Sequence, residues 1–345
     1  MKVLCVGISL AVFSIAAALL EPATWAQSNS SNDPDPCASK MSTDYPLVSI
    51  TNGQVHALIA IPDPQKGYYR STRFDWSGVI PCLSYKGHTY FTPWRPDHNP
   101  LGHDSLSGPV EEFHPPDGAL GFADAKAGDP FVKPGVGVLR RVDDAPYKFS
   151  IFYPIVDNGK WTYHAKKNEI SFTQDLSSPV GYSYAYTKTV ELEKGQPVLL
   201  LHHHMKNTGT KTIEMDVYEH DFYRLDEVPT GPDTVIHFAF EPKPARALAN
   251  GGEIKGNDLM YAHELQTGQT VSSQLTGYSN NPSDYDFKIE NVKAGFGVEQ
   301  TSDQPIASLN FWSVPATIAP EAYIHVHIAP GESQDWTIRY RFYVK

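Results

Sequence analysis

From Leu47 to the C-terminus, apolar and polar residues alternate in short runs. No stretch sustains the 3.6-residue period of an amphipathic helix, so the pattern predicts strands. The first two, 47–51 and 54–61, flank Asn52-Gly53, a two-residue hairpin signal. Further strands are predicted over 147–156, 168–173, 182–192, 198–205, 212–222, 235–240, 270–278, 287–292, 297–300, 306–314, 323–328 and 334–343. Glu193-Lys194-Gly195, Asn207-Thr208-Gly209, Asn250-Gly251-Gly252 and Pro330-Gly331-Glu332 punctuate them as turns. Only 258–265 reads as a short helix. Many strands at this spacing predict an all-β fold, one large antiparallel β-sandwich over 45–345.

One segment breaks the rhythm. Residues 92–135 contain eight prolines, six glycines and three histidines: His98, His103 and His114. A stretch this long and this broken reads as a binding loop or lid.

Strand alternation also sorts candidate chemistry by face. Along 212–220, Ile213, Met215 and Val217 share one face, and Glu214, Asp216, Tyr218 and His220 share the other. Along 321–328, Ile324, Val326 and Ile328 oppose Glu321, Tyr323, His325 and His327. Two polar faces on one curved sheet would make a pocket of Glu, His and Tyr. Arg70 and Arg73 point to opposite sides of an ideal strand, so one of them reaches such a pocket.

Charge and composition narrow the partners. The 345 residues carry a net charge of −11 with no basic run, which argues against binding to a phosphate backbone. No P-loop, dinucleotide fingerprint or Gly-x-Ser-x-Gly nucleophile turn is present. Residues 1–26 read as a signal peptide: Met1-Lys2, an apolar run to Leu20, and a cut after Ala26. No other segment is apolar enough to span a bilayer, and 27–44 reads as a flexible lead-in. The protein is therefore expected outside the cytoplasm, periplasmic or extracellular. There, the two cysteines left after cleavage, Cys37 and Cys82, are expected to form a disulfide.

Three stretches carry a family likeness. They are 68–76 with its two arginines, Tyr218-Glu219-His220-Asp221-Phe222, and Pro320-Glu321-Ala322-Tyr323-Ile324. An early arginine, a central histidine and a late glutamate, in that order, resemble the aldose 1-epimerase (galactose mutarotase-like) superfamily over roughly 46–345. The resemblance implies a cofactor-free sugar isomerase on a large β-sandwich, with a carbohydrate as ligand. It implies Glu321 as base and His220 as acid on opposite sides of the sugar, with Arg73 or Arg70 holding sugar oxygens. Tyr218, Tyr323 and Trp76 would supply a stacking wall. Relatives often carry a second pocket histidine in His-Gly-Phe-Ala; here the stretch is Leu120-Gly121-Phe122-Ala123, and His114 is the candidate substitute. The missing histidine favours a second reading, a carbohydrate-binding or structural surface protein without catalysis. A third reading comes from the residues alone. His202/His204 and His325/His327 are strand-spaced pairs that could bind zinc or copper if they lay on adjacent strands, giving a metal-dependent enzyme. The leading reading needs no metal.

Overall fold

A computed structural model of the chain describes residues 35–37 and 44–345. The signal-peptide reading of 1–26 and most of the lead-in 27–44 lie outside the described residues. Among those described there is no α-helix, and every strand pairing is antiparallel. No helix among them is long and apolar enough to cross a membrane.

Two large sheets dominate. The ten-stranded sheet runs, in spatial order, through Gly252–Lys255, Asp258–Tyr261, Thr234–Phe238, Asp286–Asn291, Phe296–Ser302, Ser333–Val344, Val198–Asn207, Tyr184–Leu192, Glu169–Leu176 and Lys160–Ala165. The six-stranded sheet runs through Lys243–Pro244, Val271–Thr276, Ser308–Val314, Thr317–Ile328, Ile213–His220 and Val110–His114. Val217, Ile324 and Phe311 from the smaller sheet join Leu201, Ile338 and Val298 from the larger one in a single buried cluster. The alternation read from 212–220 is thus the alternation between core and outer face. A second cluster, around Phe74, Trp76, Phe131 and Tyr153, supports the loops over the outer face of the smaller sheet.

The structure departs from four of the predicted elements and adds unpredicted strands, among them Cys82–Tyr85, His88–Phe91, Gly137–Arg140, Lys160–Ala165 and Gly252–Lys255. The 258–265 helix is a strand, Asp258–Tyr261, because Leu259 and Tyr261 bury at period two between flanking strands. Of 147–156 only the end is extended, as Ile155–Asp157; a turn closed by Ile151 N–H to the Lys148 carbonyl breaks the rest. The Asn52-Gly53 hairpin forms, but its loop is longer than two residues. The Asn52 side chain accepts from the amides of Gln54 and Val55, and Thr51 pairs with His56. Segment 92–135 is not one loop either, since it contributes Val110–His114 to the edge of the six-stranded sheet.

Cys37 and Cys82 are joined by a disulfide and are fully buried against Leu58. The bridge closes a loop with a sequence separation of 45. Replacing both cysteines by alanine is expected to lower the unfolding free energy by about 3–4 kcal/mol in the chain-entropy picture, read by urea denaturation.

Candidate functional site

The outer face of the six-stranded sheet carries a cleft of about 410 Å³. Its floor comes from alternate positions on four neighbouring strands: Glu112 and His114, Tyr218 and His220, Asn310 and Trp312, Glu321 and Tyr323. Arg73, His103, Asp104, Phe149 and Phe222 form the walls.

At the floor, His220 Nε2 lies 3.2 Å from Glu321 Oε1. The Asn310 amide donates to the other carboxyl oxygen at 2.7 Å. Both side chains are almost wholly enclosed, His220 at 4% and Glu321 at 6% exposure. Burial pushes the Glu321 carboxyl up to about 7, against the Asn310 bond and the Arg73 charge. Burial and the Arg73 charge push His220 well below its ordinary value, so the imidazole is neutral at pH 7. The contact therefore joins a neutral imidazole to a carboxyl that is half-ionised near neutrality, and the short distance is no ion pair. Phe222 stacks on the imidazole at 3.8 Å, and Phe74 and Trp312 meet it edge-on. The ring is thus held in a fixed plane, and its Nδ1 makes no hydrogen bond.

A second buried group sits beside this pair. Arg73 donates from Nε to Glu112 at 2.7 Å and from Nη2 to the Tyr218 hydroxyl at 3.0 Å. Tyr218 in turn donates to Glu112 at 2.6 Å. Burial acts to raise Glu112, but Arg73 and buried Lys133 hold it ionised, down to about 2. The Arg73 guanidinium also lies over the Phe149 ring at 4.2 Å and the Phe74 ring at 4.4 Å.

Arg73, His114, Tyr218, His220, Glu321 and Tyr323, all candidates from sequence, line this one cleft. The Tyr218 and Tyr323 rings contact each other at 4.3 Å, and His114 meets Tyr323 edge-on at the rim. Two candidates lie elsewhere. Trp76 is a core side chain, 2% exposed, whose indole donates to the Ser71 carbonyl at 2.8 Å; it cannot stack on a ligand in the cleft. Arg70 donates to the Gln65 carbonyl and does not line the cleft, because 70–76 is a series of bends rather than a strand. Glu321 and His220 touch instead of facing each other across a gap. Leu120, where relatives often carry a histidine, is buried in the main core. The two histidine pairs do not share a sheet: His202 and His204 are on the ten-stranded sheet, His325 and His327 on the six-stranded one. Asn310 and Trp312 escaped notice although period-two alternation in 306–314 sets them opposite Leu309 and Phe311. Glu112, Phe149, His103 and Asp104 come from irregular or edge segments that alternation does not sort.

A second cavity of about 460 Å³ adjoins the first and shares His114 and Phe149 with it. Phe122, Arg141 and Tyr147 lie along it.

No protein-family model matches the sequence, and no curated protein matches it. Solved structures do. A galactose mutarotase-like protein from Clostridium acetobutylicum, 13% identical, superposes over 88% of this chain and 100% of its own with a TM-score of 0.53. A galactose mutarotase related enzyme from Lactobacillus acidophilus, 12% identical, covers 87% and 100% with a TM-score of 0.50. A galactose mutarotase-like protein from Lactobacillus casei, also 12% identical, covers 86% and 100% with a TM-score of 0.50. With its two large antiparallel sheets and no α-helix among the described residues, the chain has the galactose mutarotase-like β-sandwich fold.

Proposed function

We propose that the protein is an exported, carbohydrate-active isomerase that interconverts sugar anomers without a cofactor. The observation that carries this reading is the Glu321–His220 contact at the floor of an enclosed polar cleft, with the carboxyl raised to about 7. A base poised near the working pH is what proton abstraction from an anomeric hydroxyl requires.

The anomeric hydroxyl and the ring oxygen are both bonded to C1, so neighbouring catalytic groups can reach both. Ionised Glu321 takes the hydroxyl proton as the C1–ring-oxygen bond breaks. The neutral imidazole donates its N–H to the ring oxygen as charge develops there, a role that needs no imidazolium. Glu321 returns the proton to the imidazole across their contact, which closes the proton count at the open-chain aldehyde. Rotation about C1–C2 and the reverse transfers give the other anomer. Arg73 already spends two donors on Glu112 and Tyr218, and this fixes the fork that faces the ligand. Tyr323 and Trp312 offer rings at the floor. The disulfide fits an oxidising compartment.

The test is proton-exchange NMR of anomer interconversion over a panel of free hexoses and pentoses. Acceleration of at least one sugar is expected, and none with any sugar would remove the isomerase reading. A second reading, glycan binding without turnover, is favoured by Leu120 in the core in place of an imidazole. It predicts saturable calorimetric binding of a sugar whose anomers exchange no faster. Arg73→Lys keeps the charge and loses the planar fork; sugar affinity is expected to fall about tenfold, or 1.4 kcal/mol, measured as KM or by calorimetry.

A further inference from the structure

The face that floors the cleft continues past it. On the Thr317–Ile328 strand, Glu321 and Tyr323 are followed on the same side by His325 and His327. Strand register sets His325 opposite Asp216 and His327 opposite Glu214. His325 Nε2 lies 3.1 Å from Glu214 Oε1, and its Nδ1 lies 3.0 Å from Asp216 Oδ1. His327 Nδ1 meets the second oxygen of Glu214. One ligand atom each from Glu214, His325 and His327 falls within 4.8 Å of the others. Gln334 accepts from the His327 amide and donates to the His325 carbonyl, which fixes the backbone between the two rings.

We propose that Glu214, His325 and His327 form a binding site for a divalent transition metal of the zinc, nickel and copper group. Two imidazoles and a carboxylate are a donor set suited to these borderline ions rather than to calcium or magnesium. A strand-spaced histidine pair, about 7 Å apart along the chain, brackets one ion when a carboxylate on the next strand bridges the two rings. Asp216 holds the other nitrogen of His325, the outer-shell contact that orients a metal-bound imidazole. The three ligands are 46–59% exposed, which leaves open positions for water. The other convergent set, Glu111, His203 and Glu219, is excluded: the Lys188 ammonium already occupies the cation position on Glu111 in a closed core. The site lies about 13 Å along the strand from Glu321, and it stands independently of the sugar reading.

The experiment is calorimetric titration of untagged, chelator-treated full-length protein with ZnCl₂, NiCl₂ and CuCl₂. Saturable uptake is expected, with affinity lowered at least about tenfold by His325→Ala and by His327→Ala. His202→Ala/His204→Ala and Glu321→Gln are expected to bind as wild type does. Circular dichroism confirms that each variant is folded. No saturable uptake overturns the proposal, as does uptake unchanged in His325→Ala/His327→Ala. Uptake lost with His202→Ala/His204→Ala also overturns it, by placing the metal on the other sheet.

Discussion

Glu321→Gln is expected to slow anomer interconversion by about 10²–10⁴-fold while leaving the fold intact. The amide is isosteric with the carboxyl and still accepts from Asn310, so packing around His220 and Trp312 is retained. What disappears is the carboxylate oxygen that contacts the imidazole, the only such contact among the described residues. Two pH experiments separate this chemical loss from a structural one. Because the carboxyl is raised from 4.5 to about 7, wild-type kcat/KM should fall as pH drops below about 7, well above the range of an ordinary glutamate. Stability should move the opposite way. A carboxyl held protonated in the folded state and free to ionise in the unfolded chain gives the unfolded state fewer bound protons. Stability is therefore full below 4.5 and is lost as pH rises toward about 7. Glutamine removes that loss. The variant should match wild type in thermal melts at pH 4 and melt higher at pH 8. An inactive variant that also melts lower at pH 8 would point to structural damage and would sink the assignment of Glu321 as base.

What the sequence disclosed depended on backbone regularity. Tyr218 with His220, and Glu321 with Tyr323, could be placed on one face because each pair lies on a continuous strand with core residues between them. The same rule failed for Arg70 and Arg73, since bends replace the strand and only long-range contacts with Glu112 and Tyr218 select Arg73. Trp76 looked like a sugar platform because indole is a good one; in fact its N–H found the Ser71 carbonyl and the ring went into the core. The family likeness supplied roles but no geometry, and side-by-side placement of Glu321 and His220 follows from strand pairing across the sheet. Least legible was the charge inside the sandwich. Glu111, Lys188, His203 and Glu219 are ionisable residues that alternation alone does not pair, and they face inward because each answers another across the two sheets.

That inner network sets the second large effect: Lys188→Ala is expected to destabilise the protein by about 3–5 kcal/mol. Lys188 and Glu111 are wholly buried, one on each sheet, and their ion pair spans the core. His203 Nε2 lies 2.5 Å from the other oxygen of Glu111. Burial acts to raise Glu111, yet Lys188 and then His203 bring it down to about 2, so it is ionised at neutral pH. Around it the remaining acids are pushed toward neutrality: burial holds Asp75 up to about 7 and raises Glu219 and Asp221 well above their ordinary values. Lys188 is thus the ammonium that compensates the one firmly ionised carboxylate of the cluster. Deleting it leaves Glu111 to be buried charged without its main partner or to take up a proton. Acidification relieves that conflict, so the deficit measured by urea denaturation should be largest near pH 7 and shrink toward pH 4. The pairing itself is tested by Lys188→Met/Glu111→Gln, which removes both charges and keeps the volume. Recovery of most of the stability relative to Lys188→Met alone would identify the lost ion pair as the cause. A double variant as unstable as Lys188→Ala would show instead that the loss comes from the ammonium's hydrogen bond to the Ser77 carbonyl. Glu111 is followed on the same edge strand by Glu112, which faces the cleft and holds Arg73. On the proposed function, Lys188→Ala is expected to weaken sugar binding as well if it loosens that strand, and the double variant to restore it.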